Sequence, residues 1–317
     1  MGLKDPVVAL IDSDFADCIL ERAIVERAGF RFADARENEE RASILRMATG
    51  AIVQYTPVDE AFLSSAPNLR AVSTYGVGTD HIDLDISRLR GIEVLCVADY
   101  CTQEVADHTL ALVLALIRRV FPLSTSVHDG HWATTGEFGN LRSLRDCTYS
   151  IIGFGRIGQA VAQRVAAFGA RVLTYDPYAS AESLAKLGVE SVSLGQAFEA
   201  DIISIHMPLT RETRGLINCR LLDRLPQDAV VVNVSRGEIV DQVALATAIA
   251  SGKILAALDV LQNEPPLVGD IADLGPDTIV TPHAAWFSPS AERRVRESAA
   301  TQVVKALGQI IIDKKRM

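Results

Sequence analysis

The sequence predicts an α/β protein built from two doubly wound parallel-sheet domains, one inserted in the other. Three observations carry this. Strand-like and helix-like stretches alternate through most of the chain, the pattern of parallel sheets covered by helices. A glycine-spaced strand-to-helix turn, Gly153-Phe154-Gly155-Arg156-Ile157-Gly158, lies in the middle of the sequence rather than near its start. The last helical stretch is followed by no further strand, so it is expected to return to the first domain.

In order, residues 7–11 read as a strand, 16–28 as a helix, and 51–54, 71–74 and 94–97 as further strands. The turn Tyr75-Gly76-Val77-Gly78-Thr79-Asp80 closes the strand at 71–74. A helical pattern runs over 102–120, nearly free of Gly and Pro until Pro122, and is expected to lead from one sheet system to the other. Residues 121–146, with Gly130, Gly136 and Gly139, read as loop. A second set of strands is expected at 150–152, 171–175, 202–206, 230–233, 256–258 and 279–280. The final helix is expected over 291–312, after the start signal Ser288-Pro289-Ser290. The domain boundaries expected are therefore 1–100, 101–287 and 288–317.

Composition narrows the function classes. The chain has 317 residues, enough for two domains, with 49% hydrophobic and 22% charged residues. Its net charge of −9 and lack of a basic run argue against nucleic-acid or anionic-membrane partners. The longest apolar stretch, 110–117, is too short to span a bilayer. Residues 1–6 lack a myristoylation pattern, and 7–11 is too short for a signal segment. Five scattered cysteines, Cys18, Cys96, Cys101, Cys147 and Cys219, with no C-x-x-C spacing, fit reduced thiols in a cytoplasmic protein. No His/Cys cluster has metal-ligand spacing, so no metal is expected.

The glycine turn points to a dinucleotide. Gly153 would allow the tight turn, Gly155 would let a pyrophosphate approach the backbone, and Gly158 would let helix and strand pack closely. The helix N-terminus would face the phosphates with unpaired amides. Asp176 closes the next strand, 18 residues after Gly158. A carboxylate there can accept from both ribose hydroxyls and would repel a 2′-phosphate, which favours NAD over NADP. The Rossmann type of dinucleotide domain follows from these features.

In open α/β sheets, ligands bind beyond the carboxyl ends of the strands. Arg236, Glu264 and His283 each follow one of the expected strands there. A histidine can give or take the proton that accompanies hydride transfer at an oxygen-bearing carbon. A carboxylate beside it fixes its orientation and favours its proton-donating form. A guanidinium can grip a substrate carboxylate with two hydrogen bonds. Each residue also has a plain alternative: an ion pair for Arg236, a solvated loop residue for Glu264, a satisfied loop histidine for His283. His81, His108, His128, His131 and His206 compete for the acid/base role, His206 most seriously, since it also ends a strand.

These residues sit in motifs that resemble the D-isomer-specific 2-hydroxyacid dehydrogenases over nearly the whole chain. The motifs are the glycine turn, His206-Met207-Pro208-Leu209-Thr210, Asn233-Val234-Ser235-Arg236-Gly237-Glu238-Ile239-Val240-Asp241, Ala257-Leu258-Asp259-Val260 with Glu264-Pro265, and Thr281-Pro282-His283. The resemblance implies a flavodoxin-like substrate domain made from both chain ends, an inserted NAD domain, a cleft between them, and a homodimer. It implies catalytic roles for Arg236, Glu264 and His283. It implies carboxylate binding by the backbone of Gly76, Val77 and Gly78. Cofactor contacts map to Gly153, Gly155, Arg156, Ile157, Gly158, Asp176, His206, Pro208, Val234, Ser235, Arg236, Asp259 and His283. That placement demotes His206 as the acid.

His283-Ala284-Ala285-Trp286, Asp176-Pro177-Tyr178 and Glu104-Val105-Ala106-Asp107 are similar to the subgroup containing the C-terminal-binding protein corepressors, whose Trp lines the substrate site. Two functions follow as expectations. One is an NAD-dependent reductase of a small 2-keto acid, with Trp286 against the substrate side chain. The other is an NAD(H)-sensing binding protein with little turnover. The end of the chain soon after its last helix favours the compact enzyme.

Overall fold

Strands buried on both faces need continuous apolar runs, and short runs of Val, Ile and Ala supply them. The computed structural model describes residues 6–36, 39–267, 271, 274, 275 and 277–316, apart from the side chains of 313–316. Residues 1–5, read above for a myristoylation pattern, lie outside these. The chain divides into two units, Met1–Tyr100 with Ser288–Met317, and Cys101–Phe287.

The first unit holds β1 (Val7–Leu10), β2 (Arg31–Asp34), β3 (Ala48–Val53), β4 (Ala71–Thr74) and β5 (Glu93–Cys96). They form one parallel sheet in the order β2-β1-β3-β4-β5, the flavodoxin-like arrangement. At the switch between β1 and β3, the Asp12 carboxylate accepts from the amides of Gln54, Tyr55 and Thr56 at 2.7–2.9 Å. The terminal helix Pro289–Arg316 lies on β3 and β4 and against the helix Ile19–Arg27. At Gly50 it approaches so closely that a Cβ would stand 2.8 Å from Val303 Cγ2.

The second unit holds β6 (Thr148–Ile152), β7 (Arg171–Tyr175), β8 (Glu190–Ser191), β9 (Ile202–Ile205), β10 (Ala229–Asn233), β11 (Ile254–Leu258) and β12 (Ile279–Val280). All are parallel, in the order β12-β11-β10-β9-β6-β7-β8. The order reverses between β6 and β9, where doubly wound sheets place their ligands. The helix Thr102–Ile117 covers β10 and β11 and packs on the helix Arg156–Ala167, burying Val105, Leu112, Val113 and Leu116 in the core. Among the described residues, no single helix is long and apolar enough to cross a membrane.

Several expectations are corrected. β2 and β8 were not anticipated: β2 begins and ends in charged residues and β8 has two residues, so neither shows an apolar run. The helix expected over 16–28 starts at Ile19, because Asp17 Oδ1 accepts from the Ile19 amide in a preceding turn. The helix expected over 102–120 stops at Ile117. Arg119 takes a left-handed conformation (φ 49°), and a second helix, Val120–His128, leaves at 59°. Part of the expected 121–146 loop is therefore helical. Pro122 falls in that helix's first turn, where no amide donor is needed. The last helix starts at Pro289, two residues early, because the Ser288 hydroxyl accepts from the Ala291 amide at 2.9 Å and caps it.

The glycine turn is tight at both outer positions. Gly153 has φ +99°, and a Cβ there would lie 2.8 Å from the His206 and Met207 backbone. A Cβ at Gly158 would lie 2.2 Å from Gly153 O, an atom that cannot move aside without breaking the turn. Gly158→Ala is expected to destabilise the protein by about 3 kcal/mol, read as a lower urea midpoint at constant m value. A midpoint equal to wild type would show that the turn yields.

Candidate active site

Three adjacent strands deliver the candidate catalytic residues. β10 and β11 pair with Asn233 opposite Leu258, and β11 and β12 with Leu258 opposite Val280. Their ends are thus level, and the loops carrying Arg236, Glu264 and His283 leave from one edge. The ladder continues past the strands: Asp259 N donates to Asn233 O at 2.9 Å, and His283 N to Asp259 O at 2.8 Å.

Asp259, 1% exposed, organises the turn after β12. Its Oδ1 accepts from the Thr281 hydroxyl at 2.5 Å and the Ala284 amide at 2.9 Å, and its Oδ2 from the Ala285 amide at 2.9 Å. His108 Nε2 stands 3.2 Å from Thr281 Oγ1. Between these fixed points His283 adopts φ 52°, a left-handed conformation that a non-glycine residue holds only when its surroundings impose it.

His283 Nδ1 is 2.6 Å from Glu264 Oε2, and Glu264 Oε1 accepts from the Leu261 amide at 2.9 Å. Burial pushes the Glu264 carboxyl up. The His283 hydrogen bond and charge, the Leu261 amide and the Arg236 charge outweigh it and leave the carboxyl below its usual range. Arg236 comes close through Gly237, where a Cβ would overlap the Leu261 carbonyl at 2.1 Å. Asn233 shapes the same loop, donating from Nδ2 to Arg236 O at 2.9 Å and accepting from the Ser235 amide and hydroxyl. Sequence reasoning assigned no role to Gly237 or Asn233, although a glycine directly after a strand-end arginine is itself a sign of close backbone approach. Trp286 follows the turn, edge-on to Phe287 with centroids 5.4 Å apart.

His206 is a different kind of group. Its ring is buried, which pushes its pKa down to about 3 and keeps it neutral. Nε2 meets Ser204 Oγ at 2.8 Å, while buried Nδ1 has no partner among the described residues. Such a ring is poorly suited to donating a proton near neutrality.

The glycine turn, on β6 of the same sheet, fits a dinucleotide. A Cβ at Gly155 would meet nothing within 4 Å, so the space a pyrophosphate needs is open. The helix Arg156–Ala167 starts there with no acidic residue in its first turn, leaving its amides and dipole uncompensated. Asp176, at the end of β7, accepts from the Phe154 amide at 2.7 Å and the Tyr178 amide at 2.8 Å. Each carboxylate oxygen keeps a lone pair for a ribose hydroxyl. Pro208 follows β9; its carbonyl accepts from the Thr213 hydroxyl at 2.7 Å.

In the first unit, the 76–78 turn follows β4. Gly76 has φ +150°, and its amide donates to Thr74 O at 3.0 Å. Of the three turn residues expected to offer amides, Gly76 has already committed its own. Its carbonyl accepts from the Val97 amide at 2.8 Å.

The model of the D-isomer specific 2-hydroxyacid dehydrogenase NAD binding domain matches residues 110–285, more than half of the chain. The D-3-phosphoglycerate dehydrogenase of Mycobacterium tuberculosis is 35% identical over 97% of this chain; the chain spans 58% of that relative's length. Among solved structures, a D-lactate dehydrogenase from Aquifex aeolicus, complexed with NAD and lactic acid, superposes with a TM-score of 0.87. It is 29% identical and covers 97% of this chain and 96% of its own. An NAD-dependent formate dehydrogenase from Staphylococcus aureus, in complex with NAD, gives 0.80 at 28% identity, covering 95% of each chain. The protein belongs to the D-isomer specific 2-hydroxyacid dehydrogenase family and carries that family's NAD-binding domain.

Proposed function

We propose that the protein is an NAD-dependent dehydrogenase interconverting a small 2-keto acid and its D-2-hydroxy acid. We further propose that it works as a homodimer in the cytoplasm, where its free thiols would stay reduced. The observation that carries the catalytic reading is the 2.6 Å His283–Glu264 pair beside Arg236 at three level strand ends. The relatives named above are all dehydrogenases, which favours turnover over a purely sensing role.

Glu264 holds the Nδ1 proton of His283, so Nε2 is the atom that gives a proton to the substrate oxygen in reduction and takes it back in oxidation. A bound nicotinamide supplies the hydride for reduction and receives it in oxidation. Arg236 offers a planar pair of donors to the substrate carboxylate and polarises the neighbouring carbonyl. Val77 and Gly78 offer amides to a carboxylate, and Trp286 gives an apolar wall to the substrate side chain. Asp176, Gly155 and the first-turn amides of Arg156 and Ile157 hold the cofactor's ribose and pyrophosphate. His206, Pro208, Val234, Ser235 and Asp259 serve the cofactor side.

His283→Gln is expected to lower kcat for reduction by about 10²–10⁴-fold with NADH affinity unchanged. The sign of the pH dependence follows from the pair. The Glu264 carboxyl is held below its usual range, so reduction should hold at mildly acid pH. Reduction takes up a proton and should therefore fade in alkali. Glu264→Gln weakens the contact that orients the His283 ring and should lower kcat for reduction. A reduction rate rising into alkali would contradict the assignment.

Gly155→Ala should weaken NADH binding about tenfold or more, with the thermal midpoint unchanged, because its Cβ meets only the space meant for the pyrophosphate. Wild type should prefer NADH to NADPH by about 100-fold, from Asp176 against a 2′-phosphate. Equal affinity for the two would overturn that role.

The dimer reading rests on the helix Val120–His128, which buries none of its residues although it is apolar. Val120, Phe121 and Val127 are 50%, 56% and 49% exposed, and nearby Trp132 82%. Phe121, Pro122, Leu116, Leu255 and Ile279 line a cavity of about 650 Å³. Exposed apolar surface on this scale marks an association site. Light scattering should give twice the chain mass, and Phe121→Asp should give a folded monomer; a monomeric wild type would refute the reading.

A further inference from the structure

A buried ion pair is linked to the residue that precedes the 76–78 turn. Glu21, on the helix Ile19–Arg27, is 0% exposed, and Arg296, on the terminal helix, 7%. Arg296 donates from Nε to Glu21 Oε1 at 2.8 Å and from Nη2 to Oε2 at 2.9 Å, a two-pronged contact between residues 275 positions apart. Nη2 also donates to Asp17 Oδ1 at 2.8 Å, and Nη1 to Glu292 Oε1 at 3.2 Å. The guanidinium carbon stands 5.0 Å from the centre of the Phe15 ring.

The pair has one further partner. The Tyr75 hydroxyl donates to Glu21 Oε1 at 2.8 Å, and Phe15 meets the Tyr75 ring edge-on at 5.1 Å. Burial, with the Glu21 charge, holds the Tyr75 phenol far above its usual pKa, so it remains a donor. Tyr75 is the last residue before the 76–78 turn, and its amide donates to Val53 O at 2.9 Å. The terminal helix also reaches the next loop, where Arg294 Nε donates to Tyr100 O at 2.8 Å. The Tyr100 hydroxyl lies 3.9 Å from where a Gly76 Cβ would be.

Burying two charges costs several kcal/mol before their attraction repays it, and apolar replacements of such pairs are often as stable. Bulk stability therefore gives a weak reason for this arrangement, whereas geometry gives a strong one. The hydroxyl bond fixes the Tyr75 ring, and the ring together with the Val53 ladder bond fixes the direction in which the backbone enters Gly76.

We propose that the Glu21–Arg296 pair, acting through the Tyr75 hydroxyl, is a positioning device that sets the direction of the Val77 and Gly78 amides, which the dehydrogenase reading gives to a carboxylate. The proposal rests on the dehydrogenase reading above. The three side chains act through the turn's backbone. The loss of one of them should appear in substrate affinity rather than in cofactor affinity or proton transfer.

Tyr75→Phe keeps the ring and removes only the hydroxyl. Wild type is first run against a panel of 2-keto acids with NADH, and the best substrate is carried forward. Tyr75→Phe is expected to raise KM for it about tenfold, the worth of one hydrogen bond to a charged acceptor. kcat should stay within about threefold, and NADH affinity and the pH profile should be unchanged. Glu21→Gln, which keeps an acceptor for the Tyr75 hydroxyl, should raise KM less than Glu21→Met. A Tyr75→Phe protein with wild-type KM, or one whose NADH affinity falls in step with KM, overturns the positioning role alone. A wild type that reduces no 2-keto acid overturns the dehydrogenase reading and this proposal with it.

Discussion

The site in the larger unit depends on one buried carboxylate. Asp259 sits at the end of β11 and gathers the Thr281 hydroxyl and the Ala284 and Ala285 amides around its two oxygens. A carboxylate removed from water must be satisfied by its neighbours, and the tightly folded 281–285 segment supplies three donors at once. That requirement bends the chain hard enough to hold His283 at φ 52°. The backbone strain is thus balanced by hydrogen bonds that converge on Asp259, and its result is the direction of the imidazole toward Glu264.

The same logic of close backbone approach recurs at the other loops. Gly237 lets the Arg236 loop press on the Leu261 carbonyl, and Leu261 in turn donates its amide to Glu264. Gly153 lets the dinucleotide turn press on the His206–Met207 peptide at the point where strand order reverses. These contacts lie at the carboxyl edge of one parallel sheet. The apolar core fixes the level of that edge, and the loops then need only short reaches to place polar groups within hydrogen-bonding distance.

Much of this was legible in the sequence because it depends on local signals. Apolar runs bounded by turn residues locate most of the strands, and the glycine turn with Asp176 locates the dinucleotide end. Arg236, Glu264 and His283 stand out because each closely follows such a run. What could not be read has a common cause. The break at Arg119 carries no glycine or proline, although Arg119 takes a left-handed conformation. β2 and β8 are recruited by neighbouring strands rather than by their own composition. Asp259 reads as a cofactor contact by resemblance, and only coordinates show that both its oxygens are engaged by the 281–285 segment after β12.

The Glu21–Arg296 pair extends this point to the first unit. Splitting a domain between the two ends of a chain leaves its last helix far in sequence from the sheet it covers. Apolar packing at Gly50, Val303 and Leu307 gives that helix a surface to lie on, but it specifies rotation and axial register weakly. A two-pronged guanidinium–carboxylate contact specifies both, because displacement along either direction breaks a hydrogen bond to a buried charge. The terminal helix is thereby registered against the helix Ile19–Arg27 and, through the Tyr75 hydroxyl, against the end of β4. A chain that places another domain between the two halves of this one has reason to keep such a costly pair: it fixes how the returning end meets the loop expected to bind substrate.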